Sequence, residues 1–423
     1  MTVANLSEQL FKPQVDYPET SSLIQRVDYN YINYRHTLDG ENDRHWYRVL
    51  NRLLWHWRGL SLIEIEAVLA RIAVSDKKKS NPQWFDTIKG YQSGNWIYEF
   101  LSQANEWQQQ ANLLNQQSSE QAVRTRRHKY HLTASQYASL SSYPHYRDDK
   151  LALQAQSLAY RYYQQALDDS PYDYKILSFN VAQQRIEGIL HLPYKGQDSA
   201  CPIVLLCGGL SHLQFDFYPY FSQHLAPYGI GLLTVDTPGI GQSARIKLTQ
   251  DSSIVHQAVL EQLPTVPWID HKRVILAGFR FGTQIATRLS YLAPDRIKGL
   301  LCFAPILHQL YVDTKLQAYL PIMFRDLLAD RLGLTSSSNQ YLAAELCYYS
   351  LKYQGLINKP CSVPMMSILF DQDLLCSESD AQLLHSTQRH QRLKVASMSL
   401  QKNLDKAFIQ SSRWIASLIG KTA

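Results

Sequence analysis

The stretch that decides the fold is RVILAGFRFG, residues 273–282. Its first five residues are apolar enough to predict a buried strand, and the helical pattern of 281–292 follows at once. Gly278 and Gly282 bracket the turn between them, as in G-x-S-x-G, a motif that places a nucleophilic serine on a sharp strand-to-helix turn. Here the central residue is Arg280, a permanent cation that cannot attack a carbonyl. The motif therefore predicts the strand-to-helix turn of a catalytic fold in which Arg280 stands at the position of the nucleophile.

Three further motifs occur in the order that the α/β-hydrolase fold requires. Residues 204–209 form an apolar run that ends in Gly208 and Gly209, where this fold places backbone N–H donors for an oxyanion, although a tight turn alone would also explain the pair. Residues 235–243 read VDTPGIGQS and resemble the D-x-x-G-x-G-x-S loop of many hydrolases. Asp373 follows the predicted seventh strand, where the fold carries its catalytic acid. Together they predict an α/β-hydrolase domain over residues 171–423.

The alternation of short apolar runs with helical segments supports this prediction. We expect eight strands, near 174–180, 183–192, 202–207, 230–235, 273–277, 299–303, 364–370 and 392–398. We expect helices near 216–226, 253–263, 281–292, 377–388 and 404–419. The first two strands predict a hairpin, and the β-α-β order of the others predicts a largely parallel sheet. The block 313–358 is too long for a simple crossover and predicts a helical lid.

Residues 1–170 have helical periodicity and predict an all-helical cap domain. Segment 44–58 has an amphipathic stripe, Ser61 and Glu64 form a capping-box pattern, and further helices are expected at 95–117 and 148–168. The polar stretch Asn115 to Lys129 is either a loop or the exposed face of a helix.

Composition excludes several classes of protein. The 423 residues suggest two domains, and the net charge of +6 is spread too thinly to predict a nucleic-acid site. No apolar run has the ~18 residues of a membrane span, and Met1 to Pro18 lacks the apolar segment of a signal peptide. The six cysteines have no metal-binding spacing, so we expect free thiols, no metal and no cofactor in a cytoplasmic protein.

The expected catalytic residues are Arg280 and Asp373, because no histidine occurs from Gln391 to Ala423 to complete a triad. At a helix N-terminus beside backbone donors, Arg280 would bind a carboxylate or phosphate; alternatively it pairs internally with Asp373. We assign Gly208, Gly209 and Phe281 to substrate or anion binding. Further candidates at the same edge of the sheet are Ser211, His212 and Asp216.

Six stretches spread along the chain resemble the FrsA family, the fermentation–respiration switch proteins. They are 5–13, 45–48, 90–99, 247–253, 266–271 and 278–282. The resemblance implies a helical cap on an α/β-hydrolase domain and a cytoplasmic carboxylesterase. It also implies an Arg at the elbow, the strand-to-helix turn that carries the nucleophile in related folds. It also implies binding to the unphosphorylated glucose-specific IIA component of the sugar phosphotransferase system. Ser211 departs from the family, which tends to carry an acid at this position.

Two functions therefore remain open. The chain is either an esterase that hydrolyses a small carboxylic ester, or a catalytically degenerate regulator that binds the IIA protein and a small carboxylate such as pyruvate. Loss of the triad leaves a residual rate of about 10³–10⁴ over water from the oxyanion hole and binding, so weak esterase activity fits either function.

Overall fold

The computed structural model describes residues 17–24, 31–36, 38–114, 120–196, 198–336, 338–395 and 400–420. The stretch 5–13 and the end of the strand predicted at 392–398 therefore lie outside the described residues. Within these ranges, no helix combines the length and the apolar character that crossing a membrane would require.

The principal sheet has eight strands and follows a two-stranded hairpin formed near the N-terminus. In chain order the strands are β1 Arg35–His36, β2 Gly40–Glu41, β3 Asp173–Val181, β4 Gln184–Leu192, β5 Cys201–Cys207, β6 Gly231–Val235, β7 Ile269–Phe279, β8 Gly299–Phe303, β9 Met365–Phe370 and β10 His390–Val395. The spatial order in the sheet is β10-β9-β8-β7-β5-β6-β4-β3. Strands β3 and β4 are antiparallel to their neighbours, and all other pairs are parallel.

Helices precede the sheet and fill its crossovers. The α-helices of the described residues are α1 Arg52–Trp57, α2 Leu62–Ala73, α3 Trp96–Leu113, α4 Gln121–Ser141, α5 Lys150–Asp168, α6 Tyr218–Tyr220, α7 Ile254–Gln262, α8 Gly282–Leu292, α9 Gln309–Val312, α10 Thr314–Ala318, α11 Ile322–Leu332, α12 Asn339–Leu346, α13 Glu378–Leu383 and α14 Leu400–Leu418. Ser61 caps α2 as predicted, because its side chain accepts a hydrogen bond from the Glu64 N–H.

Strand β5 shows how the sheet is stabilised. All of its residues are buried, as expected for a strand covered on both faces. Val204 and Leu206 belong to a hydrophobic cluster that also contains Trp55 and Trp96 from the N-terminal helices. Leu205 points to the opposite face and belongs to a second cluster, because side chains alternate across a strand. The first cluster runs from the N-terminal helices into the sheet, so the domain boundary at residue 170 stays a prediction.

Two predictions about helices were incomplete. Segment 44–58 is helical only over Arg52–Trp57, and Trp46 and Val49 are buried in irregular backbone instead. Helix α4 spans Gln121–Ser141, so the polar stretch is helical from Gln121 to Lys129. Its arginines obscured the helical pattern, because Arg127 is buried against Asp169 rather than solvated.

The block between β8 and β9 contains helices α9 to α12, and its role as a lid stays a prediction. Helix α11 is its longest helix and lies against the N-terminal region. The Tyr47 hydroxyl donates to the Asp326 carboxylate at 2.8 Å, and the Val49 N–H donates to the Met323 Sδ at 3.4 Å. These contacts hold α11 above the carboxyl edge of the sheet.

Candidate functional site

The elbow after β7 places Arg280 at the carboxyl edge of the sheet. Arg280 has φ of 53°, a left-handed conformation that is uncommon for a residue other than glycine. Its N–H donates to the Phe303 carbonyl at 3.0 Å, and α8 begins two residues later at Gly282. A Cβ on Gly282 would lie 2.0 Å from the Cys207 carbonyl oxygen, so only glycine allows this approach. The strand-to-helix turn predicted from the sequence is therefore present.

Two carboxylates bind the Arg280 side chain, which is buried. Its Nη1 donates to Asp373 Oδ2 at 2.5 Å, so the predicted pairing with the acid after the seventh strand is what the structure shows. Its Nε donates to Asp39 Oδ1 at 2.9 Å, and its Nη2 donates to Asp39 Oδ2. The bidentate pair with Asp39 is the geometry that best satisfies a guanidinium.

Burial alone would favour the neutral form of each group in this cluster, but the opposite charges prevail. Burial lowers the pKa of Arg280, yet Asp373 and Asp39 hold it well above its ordinary value. Burial likewise raises the pKa of Asp39, but Arg280 and His36 hold it below its ordinary value. Asp39 and Arg280 are therefore both ionised at neutral pH.

His36 and Tyr34 complete the cluster from the N-terminal hairpin. His36 Nε2 lies 3.5 Å from Asp373 Oδ2, and its Nδ1 lies 3.3 Å from Asp39 Oδ2. The Tyr34 hydroxyl donates to Asp39 at 2.6 Å. The sequence predicted no histidine for Asp373 because the last strand is followed by none; the structure brings His36 to it from the other end of the chain.

Sequence reasoning missed Asp39 and His36. The available signal was the dipeptide Asp39-Gly40, which is typical of a hairpin turn. Strands β1 and β2 pair in antiparallel register, and Gly40 is the residue of β2 that lies opposite His36. The strands are only two residues long, too short for a period-two pattern to reveal them.

A cavity of about 70 Å³ adjoins the cluster. Arg280 and Asp39 line it on one side, and Gly209, Ser211, His212 and Phe281 of the predicted site line it as well. Most of the remaining wall is leucine and phenylalanine, and the predicted lid contributes Leu320, Phe324, Leu327 and Leu328. A small chamber with few polar groups is what a binding site for a small organic molecule requires.

His212 is the unpaired polar group of this cavity. Among the residues that the structure describes, neither ring nitrogen of His212 has a hydrogen-bond partner. The ring lies between Phe217 and Phe279, with centroid distances of 5.4 Å and 5.3 Å. Burial, with Arg58 and Arg280, holds the pKa of His212 well below its ordinary value, so the imidazole is neutral at pH 7. A buried imidazole without a hydrogen-bond partner, in the wall of a cavity, makes His212 a candidate for ligand binding or catalysis.

The loop that carries Gly209 is held in place from the lid. Arg331 is completely buried, and its Nη2 donates to the Leu210 carbonyl at 2.8 Å and to the Pro144 carbonyl at 3.1 Å. A Cβ on Gly209 would lie 2.8 Å from His212 Nδ1, so this glycine makes room for the ring. The loop and His212 are therefore positioned together.

Asp216 does not belong to the cavity lining. Its carboxylate lies 3.0 Å from Arg58 Nη1 and accepts hydrogen bonds from the Leu213 N–H and the Ser139 hydroxyl. Its oxygens are therefore occupied by these partners, and Asp216 stabilises the turn at Leu213 that follows the glycine loop. Gly208 lies at the end of β5, beside the Phe217 ring.

Metal binding has no support in the part of the chain that the structure describes. No group of three or more His, Cys, Asp or Glu side chains there could hold an ion. All six cysteines are free thiols, and burial raises the pKa of Cys302 to about 12.

Known structures confirm the fold. The 2,6-dihydroxy-pseudo-oxynicotine hydrolase aligns over 88% of this chain and 97% of its own, with a TM-score of 0.69 at 13% identity. AbyA5 aligns over 85% of this chain and 93% of its own, with a TM-score of 0.63 at 17% identity. The predicted α/β-hydrolase fold is thus confirmed, and at these identities the likeness concerns the fold alone.

Sequence relatives identify the family. The family model "Esterase FrsA-like" matches residues 1–419. Esterase FrsA of Serratia proteamaculans is 45% identical over 98% of this chain and 99% of its own length. Esterase FrsA of Pectobacterium atrosepticum is 44% identical over the same shares. The chain therefore belongs to the FrsA-like esterase family, and by that family resemblance it is an esterase-type hydrolase.

Proposed function

We propose that this chain hydrolyses a small, uncharged carboxylic ester in the cavity beside Arg280. The observation that carries the proposal is that His212 lines that cavity and that neither of its buried ring nitrogens has a hydrogen-bond partner among the described residues. Hydrolysis needs a group that takes a proton from water and returns it to the leaving alcohol, and a neutral imidazole can do both.

The charges favour an ester over a carboxylate. Arg280 supplies one positive charge, and two carboxylates, Asp39 and Asp373, already contact it. An anionic ligand would therefore meet carboxylates next to the cation that attracts it. An uncharged ester avoids this repulsion, and its alkyl parts suit the leucine-rich wall.

We propose that Arg280 occupies the position of the nucleophilic serine of related folds, so that water is the nucleophile. The water oxygen attacks the ester carbonyl carbon while His212 accepts its proton. Backbone N–H groups of the loop at Gly209 stabilise the negative charge that develops on the carbonyl oxygen. His212 then returns the proton to the departing alkoxide, and the products are a carboxylic acid and an alcohol.

Arg280 acts in this scheme as a positioning residue. Its bonds to Asp373 and Asp39 tie the elbow to the end of β9 and to the N-terminal hairpin. Phe281 lines the cavity directly after it. The depressed pKa of His212 makes it a weak base, so we expect turnover well below that of triad enzymes.

Hydrolysis of p-nitrophenyl acetate tests the proposal, with the parent protein compared against His212→Asn. We expect the substitution to lower kcat/KM by about 10²-fold, the usual contribution of a general base. His256→Asn is a matched control, because His256 is also buried but does not line the cavity. A parent rate that survives in His212→Asn would contradict the assignment.

Two observations favour a second function: Asp39 and Asp373 already pair with Arg280, and no serine occupies the elbow. In this alternative the chain is a regulator that binds the unphosphorylated glucose-specific IIA protein, as the family resemblance implies, and acts in the cytoplasm. Calorimetric titration with purified IIA protein, unphosphorylated and phosphorylated, tests it. Binding of the unphosphorylated form together with an esterase rate equal in the parent and His212→Asn would favour the regulator.

A further inference from the structure

Two leucines separate the cavity beside Arg280 from a second, larger space. Leu320 and Leu328 line both the 70 Å³ cavity and a groove of about 530 Å³ on the far side. Each of the two residues is only 2% exposed. They therefore form a single layer of side chains, which we name the leucine wall, between the inner cavity and the groove.

The groove lies within the lid. Helices α10, α11 and α12 surround it with mostly apolar side chains, among them Ala318, Leu342 and Leu346. An apolar groove of this kind accepts hydrocarbon, and Arg325 is the charged residue of its lining.

The leucine wall rests on a firmly held helix. Leu328 is on α11, which Asp326 ties to Tyr47 at 2.8 Å, and Leu320 precedes the first turn of that helix. At the far end of α11, Arg331 Nη2 donates to the Leu210 carbonyl at 2.8 Å and to the Pro144 carbonyl at 3.1 Å. Helix α11 cannot swing outward without breaking these buried contacts, so the wall stays closed.

We infer that Leu320 and Leu328 set an upper limit on the acyl chain of the substrate. This inference rests on the proposed ester hydrolysis and names its substrate class, the short-chain esters. Measured as space open to water, the inner cavity of about 70 Å³ holds on the order of five water molecules, which is room for a short acyl group. A longer chain would have to pass through the leucine wall into the groove.

Acyl-chain profiles of the parent and of Leu320→Ala/Leu328→Ala test the inference. The measurement is kcat/KM for p-nitrophenyl esters from acetate to decanoate. We expect the parent to prefer acetate or butyrate and to lose activity on longer chains. In the double variant, each methylene that reaches the groove should raise kcat/KM by about fourfold, so that octanoate becomes the better substrate.

Two further sets of variants separate removal of the wall from simple enlargement or unfolding. Leu327→Ala removes the same volume from a residue that lines the inner cavity but not the groove, so its optimum should stay at short chains. Leu320→Val/Leu328→Val thins the wall at less risk to folding and should shift the profile in the same direction by a smaller factor. Equal broadening in Leu327→Ala and in the double Ala variant would overturn the inference.

Binding of uncleavable ketones gives a readout that does not depend on hydrolysis. Thermal melts are recorded with 2-butanone and with 2-decanone, which share the ester's carbonyl. We expect 2-decanone to raise the Tm of the wall variants and not of the parent. If no form hydrolyses any ester but this pattern holds, the proposed function fails and the wall stands. If the parent hydrolyses decanoate as well as acetate, or 2-decanone raises its Tm equally, the inference is wrong.

Discussion

Asp39 and Arg280 are joined by two parallel hydrogen bonds although 241 residues of chain separate them. Asp39 comes from the N-terminal hairpin, and Arg280 from the turn that would carry a nucleophile. With Asp373 they form a buried cluster in which one cation contacts two carboxylates. The N-terminal region therefore contributes a side chain directly to the turn that carries the nucleophile in related hydrolases.

Removing the cation of this cluster should destabilise the protein strongly. In Arg280→Met the Asp39 and Asp373 carboxylates would remain buried and unpaired, at a cost of about 3–5 kcal/mol. Chemical unfolding of the parent and variant measures this difference.

A surface pair in β7, the strand that precedes Arg280, is the control for that experiment. Arg273 pairs with Asp270 at 2.5 Å, and its side chain is 38% exposed. Arg273→Met should cost less than about 1 kcal/mol. A small loss in Arg280→Met, comparable with this control, would show that solvent or a ligand already compensates Asp39 and Asp373.

The elbow should not tolerate a methyl group at residue 282. In Gly282→Ala the new Cβ would lie 2.0 Å from the Cys207 carbonyl oxygen, so β5 and α8 would have to separate. We expect a fall in Tm and in soluble yield. In Gly208→Ala the nearest atom to the new Cβ is 3.4 Å away, so its Tm should remain close to that of the parent.

Serine-directed reagents should not modify the site. Arg280 replaces the hydroxyl at the elbow, and Ser243 is buried in the loop after β6. Mass spectrometry after treatment with a fluorophosphonate should show no adduct at Ser243 and none at the elbow. Stoichiometric labelling of any serine, Ser211 included, would identify a nucleophile other than water.

The value of kcat/KM should remain constant as the pH is lowered, until an unusually acidic pH is reached. His212 must be neutral to accept a proton, and its pKa lies well below the ordinary 6.5. We therefore expect kcat/KM to stay level from pH 8 to pH 6.5 and to fall only at lower pH. A rate that rises tenfold per pH unit across this range would instead indicate attack by free hydroxide.

Stability should fall as the pH drops below 6.5, because buried histidines must then accept protons. Burial lowers the pKa of His191 and of His256 to about 4. A folded pKa below the unfolded value means that stability is complete above pH 6.5 and is lost between pH 6.5 and 4. Each histidine should contribute about 1.4 kcal/mol per pH unit in this window.

Urea unfolding at several pH values measures that slope. His256→Gln should make the slope shallower by the contribution of one histidine. His271→Gln changes an exposed histidine and should leave it unaltered. An unchanged slope in His256→Gln would mean that His256 is already protonated in the folded state.

The strands of the sheet could be predicted from sequence because each is specified by the residues within its own short run. Runs such as 202–207 are buried on both faces and alternate with helices, so their strand character depends on their own residues. Helix α4 was harder, because its polar face is covered by tertiary contacts such as Arg127 with Asp169, which no local pattern reveals.

The site was predicted only in part, for the same reason. Gly209, His212 and Arg280 follow strands whose ends meet at one edge, so topology alone brings them together. Asp39 and His36 reach that edge through the packing of a short hairpin onto a distant loop. Their contribution depends on contacts between opposite ends of the chain, which a single sequence does not encode in any repeating pattern.

The order of synthesis gives the Asp39–Arg280 pair one more consequence. On the ribosome the hairpin emerges long before β7 and α8, and domains emerging first generally fold first. Burying Asp39 without its cation would be costly, so the hairpin should stay undocked until Arg280 leaves the exit tunnel. Translation of the elbow would then be the event that locks the N-terminal region onto the sheet.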